Sequence, residues 1–208
     1  MFARVTAIRT DPSRVDLGIA NFKDAVVPIM RSAPGYAGAA LLLDRETGEA
    51  AGVTYWETLA HMNAAEQIGQ QARRQTREAA GAEVIDVDRF ELILLDRASD
   101  PAAPSFSRIN DLYGDPDRLE EGIAFVRDKV LPKVSKQKGY RSLLLGVNRM
   151  TGRFVVTSNW RTAEDRAASE ATVVDQRGEA ARILRASQVD VTLFEVAFIE
   201  IKQPTRAS

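Results

Sequence analysis

Asp115-Pro116-Asp117-Arg118 restates Asp11-Pro12-Ser13-Arg14 at a distance of 104 residues, and that distance then holds without a gap almost to the end of the chain. It pairs Gly18 with Gly122, Pro28 with Pro132, Gly35-Tyr36 with Gly139-Tyr140, and Thr47-Gly48 with Thr151-Gly152. Further on it pairs Trp56 with Trp160, Glu66 with Glu170, and Phe90-Glu91 with Phe194-Glu195. Roughly 27 of about 95 paired positions are identical, too ordered a register for chance. The chain is therefore read as a tandem duplication, so any fold adopted by one copy is required of the other. The first copy covers residues 1–95 and the second 106–201, followed by a tail, 202–208. Between the copies, 96–105 ("DRASDPAAPS") is small, polar and proline-rich, as suits an exposed linker.

Each copy serves as a check on the other. "FARVTAI" and "FSRINDL" read as strands, and Asp11-Pro12 and Asp115-Pro116 after them supply an N-cap oxygen and a proline at the first helical position. Val15, Ile19, Phe22, Val26 and Met30, matched by Leu119, Ile123, Val126, Val130 and Val134, form one apolar stripe at helical spacing. Pro28 and Pro132 bend the last turns of these helices, and Gly35 and Gly139 end them. Apolar runs around the Thr-Gly turns then predict a β-hairpin. A proline-free, Ala/Gln/Arg/Glu-rich helix follows, capped by Thr58 or Thr162, and a final β-branched strand closes each copy. The order β-α-β-β-α-β is the split βαβ, ferredoxin-like motif, an antiparallel sheet with two helices on one face. Covering the bare sheet face is the physical reason for two copies, since apolar area gains about 25 cal/mol per Å² when buried. The expected fold class is α+β: two ferredoxin-like repeats packed sheet to sheet as an intramolecular barrel.

Composition narrows the function. With 28 basic and 29 acidic residues no long-range field draws the chain to nucleic acid or anionic lipid. Lys133, Lys136, Lys138 and Arg141 are its densest basic cluster, but they lack interleaved aromatics, so no nucleic-acid partner is expected. Cysteine is absent, which excludes thiolate metal sites and a Cys nucleophile; lone His61 lacks companions at ligand spacing, so no metal is expected either. The start lacks a leader pattern and no apolar run is long enough to cross a bilayer, which predicts a cytoplasmic protein with no membrane partner.

"RSAPGY" and "SKQKGY" leading into a strand, the Thr-Gly hairpin, and Trp56 and Trp160 closing the third strand before an Ala-rich helix together resemble the antibiotic biosynthesis monooxygenase-like group of the dimeric α+β barrel superfamily. The likeness covers nearly the whole chain, twice, and the chain looks like a fused pair of that group's protomers; a homo-oligomer of the fused chain stays open. The resemblance implies a cofactor-independent monooxygenase acting on a small aromatic or polyketide-like substrate, or a non-catalytic module of the same fold that binds a small hydrophobic molecule or a protein. It also implies roles for particular residues. Trp160, Asn110 and Glu170 are the candidate catalytic set, and Trp56, Asn159, Tyr140 and Tyr36 the candidate substrate-binding set. In the haem-degrading branch a strand-one Asn, a strand-three Trp and a His about ten residues later hold haem. Asn110 and Trp160 match the first two, but Glu170 and Glu66 stand where the His is required and Thr6 replaces the other Asn, so haem is not expected.

The residues themselves allow plainer readings. Trp56 and Trp160 either stack on a flat ligand or fill the layer between sheet and helices. Glu66 and Glu170 are general bases if burial raises their pKa, and otherwise solvated helix residues. Tyr36 and Tyr140 point hydroxyls into a cleft or serve packing, while Asn110 and Asn159 are amides in apolar strands that need partners. Arg73, Arg74 and Arg77 bind an anion or form a solvated face, the latter favoured by Arg74 and Glu78 at i,i+4. The second copy, with Asn110, Asn159 and Glu170 near Trp160, is the expected seat of the site.

Overall fold

The structure, a computed structural model, describes residues 1–98 and 105–202. Residues 99–104 of the expected linker and 203–208 of the expected tail lie outside the described residues. In the first copy β1 (Phe2–Arg9) leads to α1 (Val15–Asn21), a π-helical turn (Phe22–Val26) and α2 (Val27–Arg31). β2 (Tyr36–Leu43), β3 (Glu49–Trp56), α3 (Leu59–Ala64), α4 (Glu66–Ala80) and β4 (Glu83–Arg97) follow. The second copy repeats this as β5 (Phe106–Tyr113), α5 (Leu119–Phe125), a π-helical turn (Val126–Val130) and α6 (Leu131–Val134). Its remaining elements are β6 (Tyr140–Asn148), β7 (Arg153–Trp160), α7 (Ala163–Ala168), α8 (Glu170–Leu184) and β8 (Gln188–Ile201). The hydrogen-bonded strand order, β1-β3-β2-β8-β5-β7-β6-β4, closes on itself. The fold class is therefore α+β, an eight-stranded antiparallel barrel made of two βαββαβ repeats.

The compact units do not coincide with the repeats. One unit holds Met1–Phe90 and the chain from Glu195 onward; the other holds Glu91–Phe194. In the first unit β1 pairs with β3, placing Phe2 opposite Trp56, and β3 pairs with β2. The free edge of β2 is taken by the end of β8, with Gly38 opposite Ile201 and Leu43 opposite Glu195. In the second unit β5, β7 and β6 pair in the same way, and the edge of β6 is taken by the end of β4, Glu91 lying opposite Val147. Every residue of β2 is buried, so this strand is covered on both faces and its sequence is a continuous apolar run rather than an alternation.

The helix starts are capped as expected. Asp11 Oδ1 accepts from Ser13 N–H at 2.8 Å and Asp115 Oδ1 from Asp117 N–H at 3.0 Å, while Thr58 and Thr162 each accept the third backbone N–H beyond them at 3.1 Å. The predicted stripe of the first helix packs inward in both units, joining Val15, Phe22, Val26 and Met30 to one core and Leu119, Ile123, Val126 and Val134 to the other. The prolines act more locally than a bend. A wide π turn precedes each one, and the N–H groups of Val27 and Leu131 reach back five residues to the carbonyls of Phe22 and Val126. Widening the turn there accommodates a residue that has no N–H to give. Gly35 and Gly139 adopt φ of +71° and +75°, and a Cβ on either would fall within about 2 Å of His61 or Asp165 on the following helix, so glycine is required twice over.

Candidate ligand-binding site

Trp56 and Trp160 are wholly buried, at 0% exposure. Each indole N–H is already engaged within its own strand, Trp56 Nε1 with Thr54 Oγ1 at 3.0 Å and Trp160 Nε1 with Ser158 Oγ at 3.1 Å. Tyr36 and Tyr140 meet these indoles edge to face, ring centres 6.0 and 6.1 Å apart. The tyrosine hydroxyls donate to carboxylates on the borrowed strands, Tyr36 to Glu200 at 2.8 Å and Tyr140 to Asp96 at 2.6 Å. Burial pushes both phenols far above their ordinary pKa, and the neighbouring carboxylates push in the same direction, so both remain protonated donors. Each tyrosine–tryptophan pair thus belongs to the core of its own unit, and the Tyr hydroxyls and Trp N–H groups all have partners.

The polar residues converge elsewhere, where β1 or β5 passes under the long helix. In the first unit Arg4 is only 2% exposed, and its Nη2 donates to the Met62 carbonyl at 2.5 Å and lies 2.9 Å from Glu66 Oε2. Arg73 donates to Glu66 Oε1 at 2.6 Å and Arg89 to Oε2 at 3.2 Å, so one carboxylate is shared by three guanidiniums. Burial alone would raise the Glu66 pKa. The hydrogen bond from Arg73 and the charges of Arg4, Arg73 and Arg89 outweigh it and hold the carboxyl below the usual range. Glu66 is consequently an ionised counter-charge and not a base raised towards neutrality by burial. Nor is it fully solvated, at 29% exposure.

The second unit builds the same cluster with more partners. Arg108, also 2% exposed, gives Nη1 to Ser169 Oγ at 2.8 Å and Nη2 to the Arg166 carbonyl at 2.5 Å, with Nε 3.2 Å from Glu170 Oε2. Arg177 donates to Glu170 and, at 2.9 Å, to Asn110 Oδ1. Asn110 and Glu170 are therefore brought together through Arg177, whereas Trp160 faces its own strand. Asn159 lies buried, with Nδ2 on Ser142 Oγ at 2.9 Å. Arg4 and Arg108 are the residues that sequence reasoning passes over. They recur in the 104-residue register together with Glu66/Glu170 and Arg73/Arg177, and that triple coincidence is the signal.

What separates the units is space. The first unit has a partly open cavity between sheet and helices. Strand alternation turns Arg4, Thr6 and Ile8 of β1 into it, and Ala50, Gly52 and Thr54 of β3 come from the same layer. Helix α4 contributes Gly69, Ala72, Arg73, Thr76 and Ala80, one face at helical spacing made largely of small residues that leave room. Phe22, Val26, Met30 and Leu41 supply apolar wall. The cavity is thus greasy along its length and cationic at one end. In the second unit the positions of Ala50, Gly52, Gly69 and Ala80 are held by Phe154, Val156, Val173 and Leu184, all buried. Two equivalent glycines measure the difference. A Cβ on Gly18 would meet just the Ala80 methyl, at 3.7 Å, whereas one on Gly122 would strike Leu184 at 2.6 Å and Phe154 at 3.1 Å. Trp56 does not line the cavity, and Trp160, Asn110, Glu170, Asn159 and Tyr140 belong to the unit in which the matching space is filled.

No family model matches the chain. The Mycobacterium tuberculosis (strain H37Rv) protein Rv2558, itself uncharacterised, is 30% identical over 206 residues, 98% of this chain and 86% of that one. Its fellow Rv2557, from the same organism, is 26% identical over 211 residues, 98% and 91% of the two chains. Among solved structures, a candidate monooxygenase of Fusobacterium nucleatum is similar with a TM-score of 0.72 at 12% identity, covering 97% of this chain and 94% of that one. An anthrone oxidase-like protein is similar with a TM-score of 0.68 at 11% identity, covering 100% and 96%. A haem-degrading enzyme of Listeria monocytogenes is similar with a TM-score of 0.52 at 9% identity, covering 92% and 98%. At such identities the likeness carries the fold alone. Among the described residues no helix is long and apolar enough to cross a membrane.

Proposed function

The chain belongs to the family of the mycobacterial protein Rv2558 and has the antibiotic biosynthesis monooxygenase-like barrel fold; from there we propose that its first unit binds a small aromatic or polyketide-like molecule in the cavity between sheet and helices. The reaction we assign to it is cofactor-independent monooxygenation. The observation that carries this reading is the cavity itself, apolar along its walls and ended by Arg4 and Arg73. Such walls remove a flat ring system from water, and the cationic end favours the deprotonated form of an acidic phenol or enol. A deprotonated, electron-rich substrate reduces dioxygen itself. A methylene between aromatic rings then becomes a carbonyl, one oxygen atom remaining on carbon and the other leaving as water with both hydrogens. The protein's share is binding, charge stabilisation and exclusion of solvent.

Haem does not fit. Glu66 and Glu170 stand where that branch of the fold has its axial histidine, and each carboxylate is held by guanidiniums. A second reading, binding without turnover, is favoured by the engagement of two acid–base groups of the first unit: Glu66 with three arginines, and Tyr36 with Glu200. Oxygen uptake with an anthrone, followed by mass spectrometry of the product, separates the two. Consumption of oxygen with formation of the ketone, lost in Ala50→Phe, supports the oxygenase. Binding of the anthrone without oxygen uptake leaves the binding module, and absence of both would defeat the assignment of the cavity.

A further inference from the structure

Arg4 is a buried cation with donors to spare. Its Nη2 is taken by Met62 and Glu66, but among the described residues no protein group accepts a hydrogen bond from Nε or Nη1. A buried donor without an acceptor is costly, and a charged one more so. In the second copy Nε of Arg108 likewise has no hydrogen-bond acceptor, lying 3.2 Å from Glu170 Oε2 in an ion pair, so the two copies differ at Nη1. There Nη1 of Arg108 donates to Ser169 Oγ at 2.8 Å. The first copy has Ala65 in place of Ser169, which removes that acceptor, and Gly69 in place of Val173, which removes the bulk beside it. The Gly69 position is so close to the guanidinium that a Cβ would fall 2.7 Å from Nη1. Gly69 lines the cavity together with Arg4, and Ala65 stands one helical turn before Gly69 at the start of the same helix. The charges agree in sign, because three guanidiniums, of Arg4, Arg73 and Arg89, share the single carboxylate of Glu66.

We infer that the ligand of the first unit carries an anionic oxygen on its aromatic frame and that this oxygen accepts from the free donors of Arg4, with Arg73 beside it. The inference rests on the cavity being a ligand site and narrows what that site takes. Ser169 of the second copy is then the internal stand-in for the ligand's oxygen, and Ala65 in the first copy is the vacancy that makes the donor available. Phe154, Val173 and Leu184 play the same part for the ligand's rings.

Titration of the intact protein with 2-naphthoate and with its neutral isostere 2-naphthamide tests this. The carboxylate is expected to bind about tenfold or more tightly than the amide, the range a hydrogen bond to a buried charged group supplies. Ala65→Ser, which restores the hydroxyl found in the second copy and adds little bulk, is expected to weaken 2-naphthoate by about the same factor while leaving 2-naphthamide unchanged. Equal binding of the two probes, or an unchanged naphthoate affinity in Ala65→Ser, would overturn the anion assignment and leave the cavity reading intact. Binding of neither probe overturns the cavity reading itself. Ala65 is itself a buried core residue, so retained 2-naphthamide binding together with an unchanged unfolding midpoint in Ala65→Ser separates loss of the anion contact from loss of packing.

Discussion

Arg4 and Arg108 occupy the same strand position in two copies of one fold, equally buried and each beside a helical glutamate, yet one guanidinium borders a cavity and the other a filled core. The backbone elements around them match nearly residue for residue, so the difference is one of side-chain volume at a handful of positions. Large residues in the second unit complete its packing, and small ones in the first leave the space open. A duplicated domain can thus keep one copy as scaffold while the other gives up packing energy for a site, in line with the expectation that sites are where local rules of stability are relaxed.

The largest expected effect comes from undoing the packing of the second unit. Phe154→Ala should destabilise the protein by about 3–5 kcal/mol, the usual cost of removing a fully buried aromatic side chain. Equilibrium urea unfolding measures it, and a cost below about 1 kcal/mol would mean that the second unit is not filled in the way the contrast requires. The reverse exchange, Ala50→Phe in the first unit, should be tolerated and should abolish probe binding.

Next in size is the counter-charge. Glu66→Gln should cost about 2 kcal/mol, less than the full penalty of breaking a buried ion pair because the carboxylate is partly exposed. Glu170→Gln should cost roughly half as much, since Arg108 retains Ser169 and the Arg166 carbonyl. Equal costs would erase the distinction between the clusters. The pH dependence has a definite sign. The folded-state pKa of Glu66 is depressed, so its stabilisation is complete above the ordinary glutamate range and is lost as pH falls through the folded value. Wild type and Glu66→Gln should therefore converge in stability on acidification, read as the pH profile of their unfolding midpoints.

The smallest effect is a control on which the copies should agree. Thr58→Ala and Thr162→Ala each remove a side-chain cap with the same 3.1 Å hydrogen bond and should each cost about 1 kcal/mol. A large disparity between them would show that the two units differ in more than the packing around the cavity.

Much of this was legible in the sequence because it is periodic or local. The register of 104 residues, the caps at Asp11 and Thr58, the helical stripe from Val15 to Met30 and the strand ending at Trp56 follow from patterns that the second copy repeats. The tryptophans stand out in the sequence as the most conspicuous repeated residues, but the structure makes them core, their N–H groups held by Thr54 and Ser158. The site was harder to see. It depends on Ala50, Gly52, Gly69 and Ala80 being small together, and they come from a strand and a helix whose faces meet only after folding. Arg4 is easily passed over because an arginine in a short strand reads as solvent-facing, and its burial becomes evident once Glu66 and Arg73 are seen to recur with it. The pairing of β4 and β8 with β6 and β2 is set by long-range hydrogen bonds that leave no mark in local composition.

That pairing has a consequence for how the polypeptide behaves when it is divided. Severed after β4, the amino-terminal fragment keeps β2 with an uncovered edge and carries a strand end whose partner, β6, has gone. An open edge of that length invites another chain to add to it. The fragment's remedy is to recruit a twin that donates the missing segment, so a single copy of this fold is expected to live as an obligate pair, and joining two copies in tandem makes that pairing internal and independent of concentration.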